Sequence, residues 1–224
     1  MDAARNYDAE FHMAIKLYVF PPSPRAFKVL LAAHHLDIEY ELKLVNLGAG
    51  DQRTPQFTAL NVNQRMPVLE DDGYVLWESN AILEYLAACR PQAGLVPTEP
   101  RSRLQVTKWL YWDSAHWDQA AAIFVFERVV KAMFNMGAPS ESEIERGTKL
   151  MARLASVLES QLQRNRYING DALTAADLAI AAPFCHAEKA GFPLQPYAAI
   201  HRWIADVKSL PAWSKAVALQ RPPG

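Results

Sequence analysis

Long apolar runs are missing from this chain. Nothing approaches the ~20 consecutive apolar residues that a membrane helix needs, so no spanning segment is expected. An excess of one charge is missing too: 23 Lys and Arg stand against 24 Asp and Glu, for a formal net charge of −1. That balance points to neither nucleic acid nor an anionic membrane surface as a partner. Cysteine is scarce. Cys89 and Cys185 fit no C-x-x-C or zinc-type spacing, so no metal site is expected and both thiols should be reduced and packed. The opening MDAARNYDAEFH has neither the cationic start nor the apolar core of a secretory signal, and the expected location is cytoplasmic.

What is present is an ordinary globular composition: 224 residues, 50% hydrophobic and 21% charged, enough for one large domain or two modest ones. Ile15–Phe20 is a β-rich run ended by Pro21-Pro22. Phe27, Leu30, Leu31 and His34 recur at helical spacing, while Leu42 and Leu44 alternate with Glu41 and Lys43 as in a half-buried strand. Residues 51–59 have room for one or two helical turns. Met66–Glu70 and Tyr74–Trp77 read as short strands about the turn Asp71-Asp72-Gly73. Ile82, Tyr85, Leu86 and Cys89 then mark another helical face. This β-α-β-α-β-β-α order joins a parallel βαβ unit to an antiparallel hairpin.

Past Pro91 the character changes. Residues 91–100 read as a linker and 101–224 as an all-α domain; residues 14–90 form the α/β domain, and 1–13 are set aside as a disordered lead-in or an expression remnant. A long helix over Arg101–Met136 would carry Trp109, Trp112, His116 and Ile123 on one side. Ser140 followed by Glu143 has capping-box form and should start a helix running to about Arg164. Thr174 and Asp177 repeat the pattern and are read as a helix start without chemistry. Helices near Pro196–Val207 and Pro211–Leu219 finish the chain.

One residue interrupts this reading. Pro67 stands in the strand-like stretch Met66–Glu70, where it removes a ladder donor. A mixed β-α-β-α-β-β-α unit with X-Pro at the start of its third strand matches the thioredoxin-like arrangement, in which that bond is cis. The Met66 backbone would then face outward and pair with a peptide ligand as an added strand. The segments KLYVFPPSPRAFKVLLAAHHL, FTALNVNQRMPVLEDDGYVLWESNAILEYLA and RYINGDALTAADLAIAAPF together resemble a cytosolic glutathione transferase, the first two being most similar to its serine-type phi and theta branches.

That resemblance implies glutathione as co-substrate, a small hydrophobic electrophile as acceptor, a homodimer and no metal. Carried over by motif, Met66 and Pro67 give the strand-like edge, Ser79 holds the γ-glutamyl carboxylate at a helix N-terminus and Glu78 accepts from the ammonium. Where the phi branch has a histidine for the glycine carboxylate, Gln52 and Arg53 stand; Arg65 precedes the Met-Pro pair as a further carboxylate partner. Ser23, between the first strand and the first helix, would donate to the sulfur and favour thiolate over a thiol of pKa ~8.5. A plain helix cap is the other role open to Ser23 and Ser79, and a solvated charge the other role for Glu78. Tyr18 is the rival to Ser23, since other branches use a tyrosine near this strand's end. For the acceptor, Phe20 and Pro21 would form one wall and Trp112, His116, Trp117 and Phe124 the other, although aromatic residues at helical spacing also make ordinary core.

Conjugation by the thiolate of glutathione is therefore the expected reaction. Peroxide reduction, dehalogenation, ether cleavage or isomerisation on the same frame stand as alternatives, as does a non-catalytic binding module. A dithiol exchange enzyme is disfavoured because the SPRA loop holds no cysteine.

Overall fold

The computed structural model describes residues 15–220; the lead-in expected over residues 1–13 lies outside them. Four strands and a set of helices follow in the expected order: β1 (Ile15–Val19), α1 (Pro24–His35), β2 (Tyr40–Leu44), a 3₁₀ turn at Asp51–Arg53, α2 (Pro55–Leu60), β3 (Val68–Asp71), β4 (Tyr74–Trp77) and α3 (Ser79–Cys89). The sheet order is β2-β1-β3-β4, with β1 parallel to β2 and antiparallel to β3. β3 begins two residues later than the pattern suggested, because Pro67 brings no donor to the ladder. Strand alternation divides the burial. Leu17, Val19 and Leu69 enter the main core under α1 and α3, whereas Tyr18 and Val68 belong to a small cluster with Phe57 of α2.

The helical domain opens with α4 (Pro100–Trp112), α5 (Asp118–Val125) and α6 (Lys131–Met133). Here the single helix expected over Arg101–Met136 needs correction: π-helical turns at Asp113–Trp117 and Phe126–Val130 interrupt its course. Each widens the helix and rotates everything after it. α7 (Glu141–Leu162) starts as expected, with the Ser140 hydroxyl accepting from the Glu143 N–H at 3.4 Å. Glu143 does not reach back to complete the box; it pairs with Arg146 at 2.6 Å instead. α8 (Ala175–Ala181), a 3₁₀ segment at Ala182–His186, α9 (Ala187–Ala190), α10 (Ala198–Lys208) and α11 (Pro211–Ala218) complete the described residues. α1 packs against α3 and also against α8 and α11, so one core runs through both domains. No helix among the described residues is long and apolar enough to cross a membrane.

Candidate active site

A cleft of about 420 Å³ opens where the two domains meet, within the roughly 300–1,000 Å³ of small-molecule pockets. Its walls include Arg25 and Lys28 of α1, Asn61, Asn63, Arg65, Met66 and Pro67 ahead of β3, Glu78 and Ser79 at the start of α3, and Asp113, Ser114, Asp118 and Gln119 from the helical domain. Five of the residues singled out above are thus brought together: Arg65, Met66, Pro67, Glu78 and Ser79.

The edge before β3 has the expected geometry. The Met66-Pro67 bond is cis, and no protein partner is present for the Met66 backbone N–H or C=O among the described residues. Buried Asn61 shapes this loop: its Nδ2 donates to the Arg65 carbonyl at 2.7 Å and its Oδ1 accepts from the Asn63 N–H at 3.0 Å. At the other wall, Glu78 is the residue before α3 and holds φ +75, a conformation that non-glycine residues seldom adopt. Ser79 is the first helical residue. It is buried, and its hydroxyl makes no hydrogen bond among the described residues, so the capping role considered for it is not used. Its neighbouring N–H groups and the helix dipole favour an anion there.

Ser23 occupies the N-cap position of α1, with Pro24 at the first helical position. It is half-buried at φ −74, ψ 129, and its side chain makes no cap hydrogen bond. The hydroxyl is therefore not spent on the helix. Ser23 is not among the residues walling the cleft, but Arg25, two positions on, is. Tyr18 is differently placed. Its hydroxyl donates to Glu70 at 2.8 Å, and burial together with that bond pushes its pKa up to about 12. A phenol so committed is a poor thiolate partner.

Gln52 and Arg53 do not line the cleft. Gln52 is half-buried, its side-chain oxygen buried without a partner among the described residues, and Arg53 is exposed. Two of the aromatic residues considered for the acceptor wall take the core role also open to them. Trp117 and Phe124 are each 1% exposed and belong to the core; the Trp117 indole donates to the Ile180 carbonyl at 2.9 Å. The π turn explains Trp117: it stacks on Trp112, five residues earlier, at 5.8 Å, a meeting that a regular helix does not allow. His116 points to solvent on that same turn. Phe20 and Pro21 are buried, and Phe20 packs against Phe134 with ring centres 6.2 Å apart.

Sequence reasoning missed the charged floor of the cleft. Lys28, 3% exposed, donates to Asp113, 1% exposed, at 2.6 Å, and to Asn80 at 2.8 Å. Asn80 in turn donates to the Leu110 carbonyl, to Asp113 and to Ser114. A second pair, Arg25–Asp118, lies beside it. Asp113 and Asp118 are five apart, a spacing that only the intervening π turn brings toward one neighbour helix. The available signal was a lysine inside the apolar face of α1 and two aspartates in an aromatic helix, and neither names its partner.

The same architecture recurs among known proteins. The family model "Glutathione S-transferase, N-terminal domain" matches residues 13–88, and "Glutathione S-transferase, C-terminal domain" matches residues 116–211. A glutathione S-transferase of Hyoscyamus muticus is 32% identical over 211 residues, covering 92% of this chain and 98% of its own length. Glutathione S-transferase D7 of Drosophila melanogaster is 30% identical, with 90% and 88% covered. Among solved structures, glutathione transferase F7 from Populus trichocarpa superposes with a TM-score of 0.85 at 27% identity, over 93% of this chain and all of that one. A delta-class enzyme of Nilaparvata lugens gives 0.78 at 33% identity, over 90% and 92%. With both halves matched by the family models and a relative 32% identical along nearly its whole length, the chain belongs to the glutathione transferase family of enzymes.

Proposed function

We propose that this enzyme conjugates the thiolate of bound glutathione to small hydrophobic electrophiles, a detoxification-type reaction, and that the Ser23 hydroxyl stabilises the thiolate. One observation carries the reading. The unpartnered Met66 edge, the free Ser79 hydroxyl at a helix N-terminus and the Glu78 carboxylate converge on a single cleft. A peptide main chain, a carboxylate and an ammonium are the complements of those three features, and γ-glutamyl-cysteinyl-glycine offers all of them.

Ser23 enters as a donor, not a nucleophile. A hydroxyl at the N-cap of α1, free of capping duty, combines with the positive end of the helix to favour sulfur anion over thiol. Holding thiolate and electrophile together supplies the rest of the rate. Arg65 is assigned to a glutathione carboxylate, with Gln52 and Arg53 standing further out. The acceptor is assigned to the side of Phe20 and Pro21, toward the exposed Phe134 and Met136, with Trp112 and His116 behind. A homodimer in the cytoplasm completes the reading. It draws support from the large apolar residues Tyr74, Trp77, Leu104 and Tyr111, all exposed on the monomer.

The test is Ser23→Ala assayed with glutathione and an aryl halide. Conjugation should fall by about 10² in kcat/KM, the range of a lost transition-state donor, while the bound thiol titrates higher and glutathione is still retained. Wild-type turnover and an unmoved thiol titration in the variant would remove Ser23 from the mechanism.

A further inference from the structure

The loop that delivers Ser23 is short and poor in donors. It runs Phe20-Pro21-Pro22-Ser23, and its two prolines contribute no N–H. Its turn is closed by the Ser23 N–H donating to the Phe20 carbonyl at 2.9 Å, and the helix then takes over, with Phe27 N–H donating to the Ser23 carbonyl at 2.8 Å. Proline fixes φ at positions 21 and 22, so the freedom left before Ser23 lies in the two ψ angles, and ψ of Pro22 is the rotation that turns the Pro22–Ser23 peptide plane. One side of that plane is tied by the Ser23 N–H. The other side, the Pro22 carbonyl, accepts from Nε2 of His186 at 2.6 Å. Among the described residues this is the only side-chain hydrogen bond to the loop, and it comes from 164 positions away, at the end of the 3₁₀ segment Ala182–His186 of the helical domain.

We propose that His186 is a positioning residue for Ser23: by fixing the Pro22–Ser23 peptide plane from the helical domain, it aims the serine hydroxyl at the sulfur of glutathione. This rests on the role of Ser23 proposed above. A carbonyl only accepts, so the ring proton at the loop must sit on Nε2. Burial lowers the imidazole pKa and the Lys189 charge adds to that, against the opposing bond to Pro22. The neutral ring with its one proton on Nε2 is thus the working form at neutral pH. With no cap bond at its hydroxyl, Ser23 takes its direction from its backbone, and the plane behind it is tied from outside the loop by His186.

The test uses the full chain with bound glutathione, following thiolate absorbance against pH. His186→Phe keeps a ring of similar size and removes the donor; His186→Gln restores an N–H at shorter reach. His186→Phe should raise the titration midpoint of the bound thiol and lower kcat/KM for an aryl halide by about tenfold, inside the range of a small misplacement, with KM for glutathione changing much less. His186→Gln should recover most of both. In a Ser23→Ala background His186→Phe should add nothing, because the group it aims is gone. A melting temperature that drops in His186→Phe while the titration stays at the wild-type midpoint makes His186 a structural tie and overturns the proposal. So does an equal shift in the Ser23→Ala background. If Ser23→Ala alone fails to move the titration, the Ser23 reading itself has failed; an effect of Ser23→Ala with none of His186→Phe sinks only the role of His186. Should His186→Phe not fold, His186→Leu, which also lacks a donor, takes its place: a raised midpoint with KM for glutathione little changed supports the proposal, and an unmoved midpoint with lowered activity opposes it.

Discussion

Two buried aspartates organise this molecule in opposite ways. Asp177, wholly buried, accepts from the Thr174 N–H at 2.8 Å, the Thr174 hydroxyl at 2.9 Å, the Ile168 N–H at 2.8 Å and the Trp203 indole at 2.9 Å. Both of its oxygens are filled. Asp113 is as deeply buried, yet only Oδ2 is engaged, by Lys28 and Asn80, and Oδ1, on the wall of the cleft, is buried with no partner among the described residues. The first carboxylate serves stability inside one domain; the second ties α1 and α3 to the π turn after α4, on the wall of the cleft. A satisfied polar cluster rigidifies, whereas a partly satisfied one leaves a buried polar atom whose desolvation is uncompensated.

Removing the filled carboxylate should therefore cost most. Asp177→Ala leaves four donors without their acceptor, three of them main-chain or indole N–H groups, and should lose roughly 4 kcal/mol or more of unfolding free energy in urea. Lys28→Met strands the Asp113 charge and should cost about 3 kcal/mol, with glutathione affinity falling alongside. The double variant Lys28→Met/Asp113→Leu, with neither charge left to bury, should regain most of that stability and none of the affinity. If Lys28→Met proves as destabilising as Asp177→Ala, or the double variant no better than the single, the contrast between the two carboxylates collapses.

The same contrast explains what could be read from the residues alone. Thr174 and Asp177 lie three apart, so their spacing announces the cap, although it does not announce Ile168 or Trp203 on the far side of the carboxylate. Pro67 was legible for a similar reason: a proline inside a strand-like run has few places to be. Lys28 and Asp113 are 85 positions apart, and no local period links them. Which aromatic residues are core was hidden for a different cause. Trp112, His116, Trp117 and Phe124 were candidates on a helix taken as unbroken, but the wider turn at Asp113–Trp117 changes its angular spacing, and Trp117 and Phe124 lie in the core. Helical period can be read from spacing; a local change of period cannot.

The smallest effect separates the two hydroxyls that competed for the sulfur. Tyr18 and Lys16 share Glu70, and together they hold its carboxyl below the usual range, Lys16 first and Tyr18 second. A carboxylate depressed on folding adds stability above its unfolded pKa of ~4.3 and loses it as pH falls through the lower folded value. Tyr18 works from the other end: its pKa, raised to about 12, adds stability below the unfolded value and gives it up as pH climbs through the folded one. Tyr18→Phe should accordingly cost about 1 kcal/mol near neutral pH, with the gap to wild type closing in strong acid and again in strong alkali, as measured by urea unfolding across pH. Conjugation should hold within about twofold, because the phenol already donates to Glu70 and has no second proton to offer. A large fall in turnover with a raised thiol titration would instead give Tyr18 the role assigned to Ser23, and the free hydroxyl at the tip of α1 would then need another purpose.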